Sequence, residues 1–215
     1  MEINQSIQMF SLLALPLLLA LTLHELAHGW VAEKLGDGTA RDAGRLTMNP
    51  LKHLDLMGTL VFVVTQMVGW AKPVPVDPRN FRYPKKDMAI VAAAGPLANI
   101  VIAVASAILL RLQEPAVELI LNHQLNDLQY VILPVFAMIN ISVRINVALA
   151  IFNIIPIPPL DGGRVLAGVL SHEQAIKFSK IEPYGFIIIV VLLMSGFIGK
   201  AVFPIIMTIT KLLLW

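Results

Sequence analysis

Long runs of apolar residues limit the folds open to this chain of 215 residues more than any other feature. A helix needs about 20 mostly apolar residues to cross the hydrocarbon core of a bilayer. The chain is 57% hydrophobic and only 14% charged, whereas an average soluble domain is about 45–50% apolar and about 25% charged. The sequence therefore predicts an all-α polytopic membrane protein with about five transmembrane helices, within a range of four to six. The predicted helices cover approximately residues 7–34, 57–70, 88–111, 129–155 and 184–215.

The predicted spans differ in length and continuity. The first run contains Pro16, which removes one helical hydrogen bond and is expected to bend the helix. The run at 57–70 is short enough either to cross the membrane or to re-enter it from one side. The C-terminal region contains Gly196 and Gly199, where we expect a break into two short helices. One membrane-embedded domain, covering residues 1–215, is the simplest organisation.

Two polar stretches between the spans predict short membrane-associated strands. Residues 36–56 are rich in turn formers, with one candidate strand at Leu46–Met48. In Lys72–Pro78 the prolines alternate with other residues, which excludes a helix and favours an extended chain.

The distribution of charge predicts the orientation in the membrane. Nine of the sixteen Lys and Arg residues lie between Glu33 and Asp87, and residues 112–129 contain none. By the positive-inside rule the first region is cytoplasmic, so the N-terminus is outside. The net charge is only +2 and no basic tract is interleaved with aromatic residues, so we expect no nucleic-acid partner.

The motif His24-Glu25-Leu26-Ala27-His28 lies inside the first apolar run. Residues i and i+4 share a helix face, so both imidazoles can reach one zinc ion. Glu25 is placed to hold a water molecule bound to that ion. Ionisable residues are costly within a spanning helix and are functional candidates by default. The motif predicts a metal site, although the pattern alone leaves open a polar helix end at the membrane interface.

A catalytic zinc site needs a third protein ligand and an open position for water. The chain contains no Cys, so this ligand must be His, Asp or Glu. Asp161 is the favoured candidate, because it follows a proline-interrupted helix end and precedes Gly162-Gly163, where a tight turn can present it. The alternative is an ordinary turn in which Asp161 caps the next helix. His53, in a polar loop near Asp55, is a weaker candidate.

Taken together, the two motifs resemble the site-2 protease family of intramembrane zinc metalloproteases. They read HELAH at residues 24–28 and NIIPIPPLDGG at residues 153–163. The segments AAAGPLANI, GRLTMNPLKHLDLMGT and GWAKPVPVDP also resemble the short bacterial branch of that family, which lacks PDZ and CBS modules. The resemblance implies that His24, His28 and Asp161 bind one Zn²⁺ per chain and that Glu25 is the catalytic base.

The resemblance also implies an activity, a location and a partner. The expected activity is hydrolysis of peptide bonds in or near transmembrane segments of substrate proteins, in the inner membrane of a bacterium and toward its cytoplasmic side. A substrate helix must unwind before attack, because its amides are hidden in helical hydrogen bonds. Leu46–Met48 or Lys72–Val76 could hold the unwound peptide by strand addition, or could simply connect helices.

Three asparagines are candidates for contact with the substrate or with the oxyanion of the reaction. The resemblance places Asn153 near the metal. Asn146, seven residues earlier on the same helix face, could line the same cleft. Asn99 could point inward, although its segment Gly95–Asn99 also suits close helix packing. Within the same spans, Asn140 and Arg144 are expected to form an internal polar pair of structural character.

A second hypothesis is a non-catalytic membrane metal-binding protein, either a carrier or an inactive scaffold. Glu25 favours the enzyme, because a carrier has no need of a base beside its ligands.

Overall fold

The computed structural model describes residues 3–65, 69–123 and 126–215, which contain ten α-helices. Three of the helices are long and apolar. The helices are α1 (Ile3–Lys34), α2 (Thr39–Asp42), α3 (Leu56–Thr65), α4 (Pro84–His123), α5 (Asn126–Asn153), α6 (Asp161–Val169), α7 (His172–Ser179), α8 (Gly185–Met194), α9 (Phe197–Ala201) and α10 (Phe203–Leu214).

Within the described residues, four segments are long and apolar enough to cross a membrane, which lies inside the predicted range of four to six. They are Phe10–Lys34, Pro84–Gln113, Gln129–Asn153 and Phe197–Leu214. The last of these joins α9 and α10. The short run predicted at 57–70 forms only the ten-residue helix α3 over its described part, and residues 66–68 lie outside the described residues.

The long helices form one bundle. Helix α4 lies centrally and packs along α5, α1 and α6, while α10 packs on α5. Small residues make the close approach of α4 and α5 possible: Ala103 and Ala107 of α4 are buried against Val143 and Val147 of α5. On the outer side of α4, Leu97, Val101 and Ile108 are exposed, as expected of residues that face lipid.

Several helix boundaries differ from those predicted by hydropathy. Helix α4 begins at Pro84 and continues to His123, well beyond the predicted end at residue 111, because backbone hydrogen bonding does not stop where the apolar side chains stop. Pro16 lies inside α1, as expected. The predicted break at Gly196 is also found: this residue separates α8 from α9 with φ of 72°, a left-handed conformation that favours glycine.

The predicted membrane-associated strands are wrong for the described residues, in which only an isolated bridge between Leu54 and Ala71 is present. Residues 46–48 form a bend, and residues 72–77 have no regular secondary structure. The physical reason is that Pro73, Pro75 and Pro78 have no N–H group to offer to a ladder.

Candidate metal centre

His24 and His28 lie one helical turn apart on α1 and face α4. Both are buried, with 6% and 9% of their surfaces exposed. Gly95 of α4 lies directly over the two rings: a Cβ atom at this position would come within 2.4 Å of His28 Nε2 and 2.5 Å of His24 Nε2. Glycine at residue 95 therefore permits α4 to cover the histidine pair without filling the space at the ring nitrogens.

Asp161 is the first residue of α6, which packs on α4, and its carboxylate reaches the same place. The turns at 154–160 end α5 and lead directly into α6. A Cβ atom at Gly162 would lie 2.1 Å from the Ile154 carbonyl oxygen, and one at Gly163 would lie 2.6 Å from the Pro158 nitrogen. The two glycines thus let the chain fold back tightly on itself, and this turn presents the buried Asp161 carboxylate to α1.

The three side chains converge on one small volume. His24 Nε2 lies 3.1 Å from His28 Nε2 and 3.1 Å from Asp161 Oδ2, and His28 Nε2 lies 3.4 Å from Asp161 Oδ1. Among the described residues, these three are the group whose ligand atoms all lie within 4.8 Å of one another. His53, the weaker candidate, is not in this group; its Nε2 lies 2.9 Å from the Thr47 carbonyl oxygen.

The hydrogen bond that each histidine makes through Nδ1 determines whether its Nε2 atom carries a proton or a lone pair. His28 Nδ1 donates to the Val91 carbonyl oxygen at 2.8 Å, and His24 Nδ1 donates to Asn99 Oδ1 at 2.6 Å. A neutral imidazole has a proton on only one nitrogen. In neutral rings, both Nε2 atoms therefore present lone pairs to each other and to the Asp161 carboxylate, an arrangement that suits a cation between them.

A zinc ion fits this donor set. Tetrahedral coordination with bonds of about 2.0–2.1 Å places ligand atoms about 3.4 Å apart. The three observed separations lie between 3.1 and 3.4 Å. Histidine nitrogen and carboxylate oxygen are both common zinc ligands, and three protein ligands leave the fourth position open.

Glu25 lies beside this group and is held by a segment that crosses α1. The Val74 amide donates to Glu25 Oε2 at 2.8 Å. Gly29 makes this crossing possible, because a Cβ atom there would lie 2.7 Å from Leu46 and 3.0 Å from Val74 side-chain atoms. We call residues 72–77 the crossing segment.

The crossing segment is anchored at both ends by charged residues that sequence reasoning did not identify. Arg45, only 7% exposed, donates from Nη2 to the Lys72 carbonyl oxygen at 2.7 Å and from Nη1 to the Pro73 carbonyl oxygen at 3.2 Å. At the other end, the fully buried Asp37 accepts from the Asp77 amide at 2.8 Å. No local pattern in the sequence marks Arg45 or Asp37 as an anchor, because their partners in the crossing segment lie 27 to 40 residues later in the chain.

We call the contact between Asp37 and the Asp77 end of the crossing segment the second anchor. The surroundings of both carboxyl groups there favour the ionised form. Burial alone would raise the pKa of Asp37, but hydrogen bonds from Thr39, Asn80 and the Asp77 amide outweigh burial and hold its pKa below the usual value. The Arg79 side chain and amide lower the pKa of the half-buried Asp77 carboxyl to about 2. Both groups are therefore anionic at neutral pH, which keeps the hydrogen bonds of this anchor in place.

The three predicted asparagines are found in different settings. Asn99 and Asn146 are fully buried; Asn99 contacts His24, and its Nδ2 donates to Asn146 Oδ1 at 2.8 Å. Asn153 is half-buried at the last turn of α5, ahead of the turns that lead to Asp161. The predicted pair of Asn140 and Arg144 forms, with Arg144 Nε donating to Asn140 Oδ1 at 2.9 Å, but Arg144 is exposed, so the prediction that the pair is internal is wrong.

The fold and this site define a polytopic membrane protein with a buried group of two histidines and one aspartate suited to zinc. Comparison with known proteins agrees: residues 12–196 match peptidase family M50, and the chain belongs to that family. At family level, the protein is a membrane zinc metalloprotease.

Two curated relatives cover most of the chain. It is 36% identical over 193 residues to "Putative zinc metalloprotease YwhC" of Bacillus subtilis, an alignment that covers 89% of this chain and 84% of the relative. It is 28% identical over 192 residues to "Putative zinc metalloprotease Rip2" of Mycolicibacterium smegmatis, covering 88% of this chain and 69% of that relative. No solved structure matches the chain significantly.

Proposed function

We propose that the protein is a zinc endopeptidase of the site-2 protease type, which hydrolyses peptide bonds in or beside transmembrane segments of substrate proteins. His24, His28 and Asp161 are the proposed zinc ligands, and Glu25 is the proposed general base. The observation that carries the proposal is the convergence of two Nε2 lone pairs and a carboxylate, 3.1–3.4 Å apart, beside a further carboxylate inside the bundle.

The bound zinc would supply Lewis acidity, which allows water to lose a proton near neutral pH. Glu25 accepts that proton and later delivers it to the amine that leaves when the peptide bond breaks. The hydrogen bond from Val74 to Glu25 Oε2 leaves Oε1 as the oxygen for this transfer and restricts rotation of the carboxylate. Asn153, at the end of α5, is proposed to donate a hydrogen bond to the oxyanion that develops on the scissile carbonyl.

The proposed substrate is a transmembrane helix that reaches the site from the lipid bilayer and has unwound locally. Strand addition to residues 72–77 receives little support, because the backbone groups of Lys72, Pro73, Val74 and Asp77 already bond within the protein. The charge distribution supports an orientation with the N-terminus outside and the site toward the cytoplasmic face of a bacterial inner membrane.

The test is Glu25→Gln in purified protein reconstituted with a panel of labelled transmembrane peptides. We expect wild-type protein to cleave at least one peptide, and Glu25→Gln to keep its zinc while losing cleavage by about 10²–10⁴-fold. Glu33→Gln is the matched control: it lies on the same helix, in an ion pair with Arg41 at 3.1 Å, and should keep full activity.

The same experiment separates the protease from a non-catalytic metal-binding protein. A carrier or scaffold would bind zinc and cleave none of the peptides. Equal cleavage by wild-type protein and Glu25→Gln would contradict the proposed mechanism.

A further inference from the structure

A chain of buried hydrogen bonds runs from His24 into the interface between α4 and α5. His24 Nδ1 contacts Asn99 Oδ1 at 2.6 Å, Asn99 Nδ2 contacts Asn146 Oδ1 at 2.8 Å, and Asn146 Nδ2 contacts the Ser142 carbonyl oxygen at 2.9 Å. Asn99 and Asn146 are both fully buried. Water therefore cannot replace any of these bonds cheaply, and each lost bond would leave a buried polar group unsatisfied.

The direction of this chain is determined by its far end. A backbone carbonyl can only accept, so the amide nitrogen of Asn146 must face Ser142 and its oxygen must face Asn99. The Asn146 oxygen can only accept, so the donor that faces it must be the amide nitrogen of Asn99. This nitrogen also lies 3.4 Å from the Ala20 carbonyl oxygen. The Asn99 oxygen is then left to face His24, and it can only accept a proton from Nδ1.

The direction of the hydrogen-bond chain determines the tautomer of His24. With the proton on Nδ1, the lone pair is on Nε2, the atom that faces His28 and Asp161. If the Asn99 amide were reversed, its NH₂ group would face Nδ1, and the proton of neutral His24 would move to Nε2. A proton there would occupy the position that a metal ion needs.

We propose that Asn99 and Asn146 are positioning residues that hold His24 in its metal-binding tautomer through this directed chain. The inference rests on the zinc-binding role proposed above. It also gives these two residues a role different from the substrate contact predicted from sequence, because they lie behind the ligand and are fully buried.

His28 provides an internal contrast. Its Nδ1 donates directly to the Val91 backbone carbonyl at 2.8 Å, so its tautomer is determined without any side chain. Of the two histidines, His24 is therefore the one whose metal-binding form is expected to depend on substitutions at residues 99 and 146.

The experiment measures zinc affinity by competition with a chromophoric chelator, using zinc alone and the full chain in detergent. Asn99→Leu should weaken zinc binding by roughly 10–100-fold, because the Nδ1 partner is lost. Asn99→Asp should lose less affinity than Asn99→Leu, since a carboxylate oxygen still accepts from Nδ1 in either orientation, while its other oxygen faces the acceptors Asn146 Oδ1 and the Ala20 carbonyl. Asn146→Leu should weaken binding less than Asn99→Leu, because the Ala20 carbonyl still favours the correct amide orientation.

The decisive measurement is the double variant Asn99→Asp with Asn146→Leu. A carboxylate at residue 99 needs no partner to orient it, so the double variant should recover the affinity lost in Asn146→Leu alone. A merely structural role for Asn146 would leave the loss in place, because the packing defect would be the same in both backgrounds. Ser106→Ala is the matched control: Ser106 bonds to the Ser142 hydroxyl at 2.9 Å, and that hydroxyl lies 3.3 Å from Asn146 Nδ2. The Ser142 carbonyl that fixes the direction of Asn146 is kept in this variant, so zinc affinity should not change.

Two results would overturn the positioning role while leaving the proposed function intact. One is wild-type zinc affinity in Asn99→Leu, and the other is a loss in Asn146→Leu that persists in the double variant. Absence of zinc binding by the wild-type protein would instead overturn the proposed function and, with it, this inference. If Asn99→Leu fails to fold, the comparison of Asn146→Leu with the double variant still tests the proposal.

Discussion

The Val74 amide donates a 2.8 Å hydrogen bond to the Glu25 carboxylate, so a proline-rich segment between two helices holds the side chain proposed as the base. Arg45 holds the segment that makes this hydrogen bond, because its guanidinium donates to the carbonyls of Lys72 and Pro73, immediately before Val74. The orientation of Glu25 is thus expected to depend on a residue that bonds to the crossing segment rather than to Glu25 itself.

The first prediction concerns Arg45→Lys. An ammonium group keeps the charge but lacks the planar fork that binds two carbonyls. We expect the crossing segment to loosen, hydrogen exchange at the Val74 and Asp77 amides to accelerate by about tenfold or more, and peptide cleavage to fall by a similar factor, while zinc content stays unchanged. Hydrogen-exchange mass spectrometry of peptides covering residues 71–78 measures the loosening.

Arg41→Lys is the control for this substitution, because Arg41 is an exposed arginine in ion pairs with Glu33 and Asp42. Such surface pairs contribute little, so exchange and cleavage should match wild type. Unchanged exchange in Arg45→Lys would show that Arg45 does not hold the crossing segment.

The second prediction concerns Gly95→Ala. The added methyl group would lie within about 2.6 Å of both Nε2 atoms, in the space where the ligands converge. We expect zinc affinity to fall by roughly 100-fold, together with cleavage. Isothermal titration or chelator competition measures the affinity.

Gly199→Ala serves as the control for Gly95→Ala, since a Cβ atom at residue 199 meets nothing within 4 Å. It should leave zinc binding unchanged and stabilise the helix slightly. Wild-type zinc affinity in Gly95→Ala would contradict the placement of α4 over the histidine pair.

The third prediction is a pH dependence at the second anchor. Asp37 and Asp77 have folded-state pKa values below their unfolded values near 3.8, so their stabilising effect is present above pH 4 and is lost as pH falls toward the folded pKa values. We expect thermal stability in detergent to decrease as the pH is lowered below 4.

Asp37→Asn removes one of these carboxylates. It should lower the stability at pH 7 and make the decrease below pH 4 shallower, because one titrating group is missing. Thermal unfolding followed by circular dichroism measures both effects. An equally steep decrease in the variant would indicate that Asp37 is not part of the acid response.

The sequence was sufficient to predict the helical membrane fold and the convergence of its two distant motifs. Apolar runs are long-range signals, and the spacing of His24 and His28 fixes a shared helix face without any knowledge of the tertiary structure. The position of Asp161 could be inferred because a proline-interrupted helix end and two glycines leave few conformations to the segment.

The other features of the site depend on tertiary contacts, which leave no recognisable pattern in the local sequence. Nothing near Arg45 indicates that its guanidinium binds carbonyls 27 and 28 residues later. The strand prediction was wrong because the alternating prolines within Lys72–Pro78 indicate an extended backbone but do not show whether a second strand can pair with it. The sequence left open whether Asn99 points inward, and its hydrogen bond to His24 could be found only from the packing of α4 on α1.

The zinc content of purified protein tests the central claim most directly. Mass-spectrometric metal analysis should find one zinc ion per chain in the wild-type protein and in the Glu25→Gln variant. The single variants His24→Ala, His28→Ala and Asp161→Ala should each lose most of it, because each removes one of three ligands. Stoichiometric zinc retained in Asp161→Ala would contradict the account, since it would show that the ion is held without the carboxylate that completes the site.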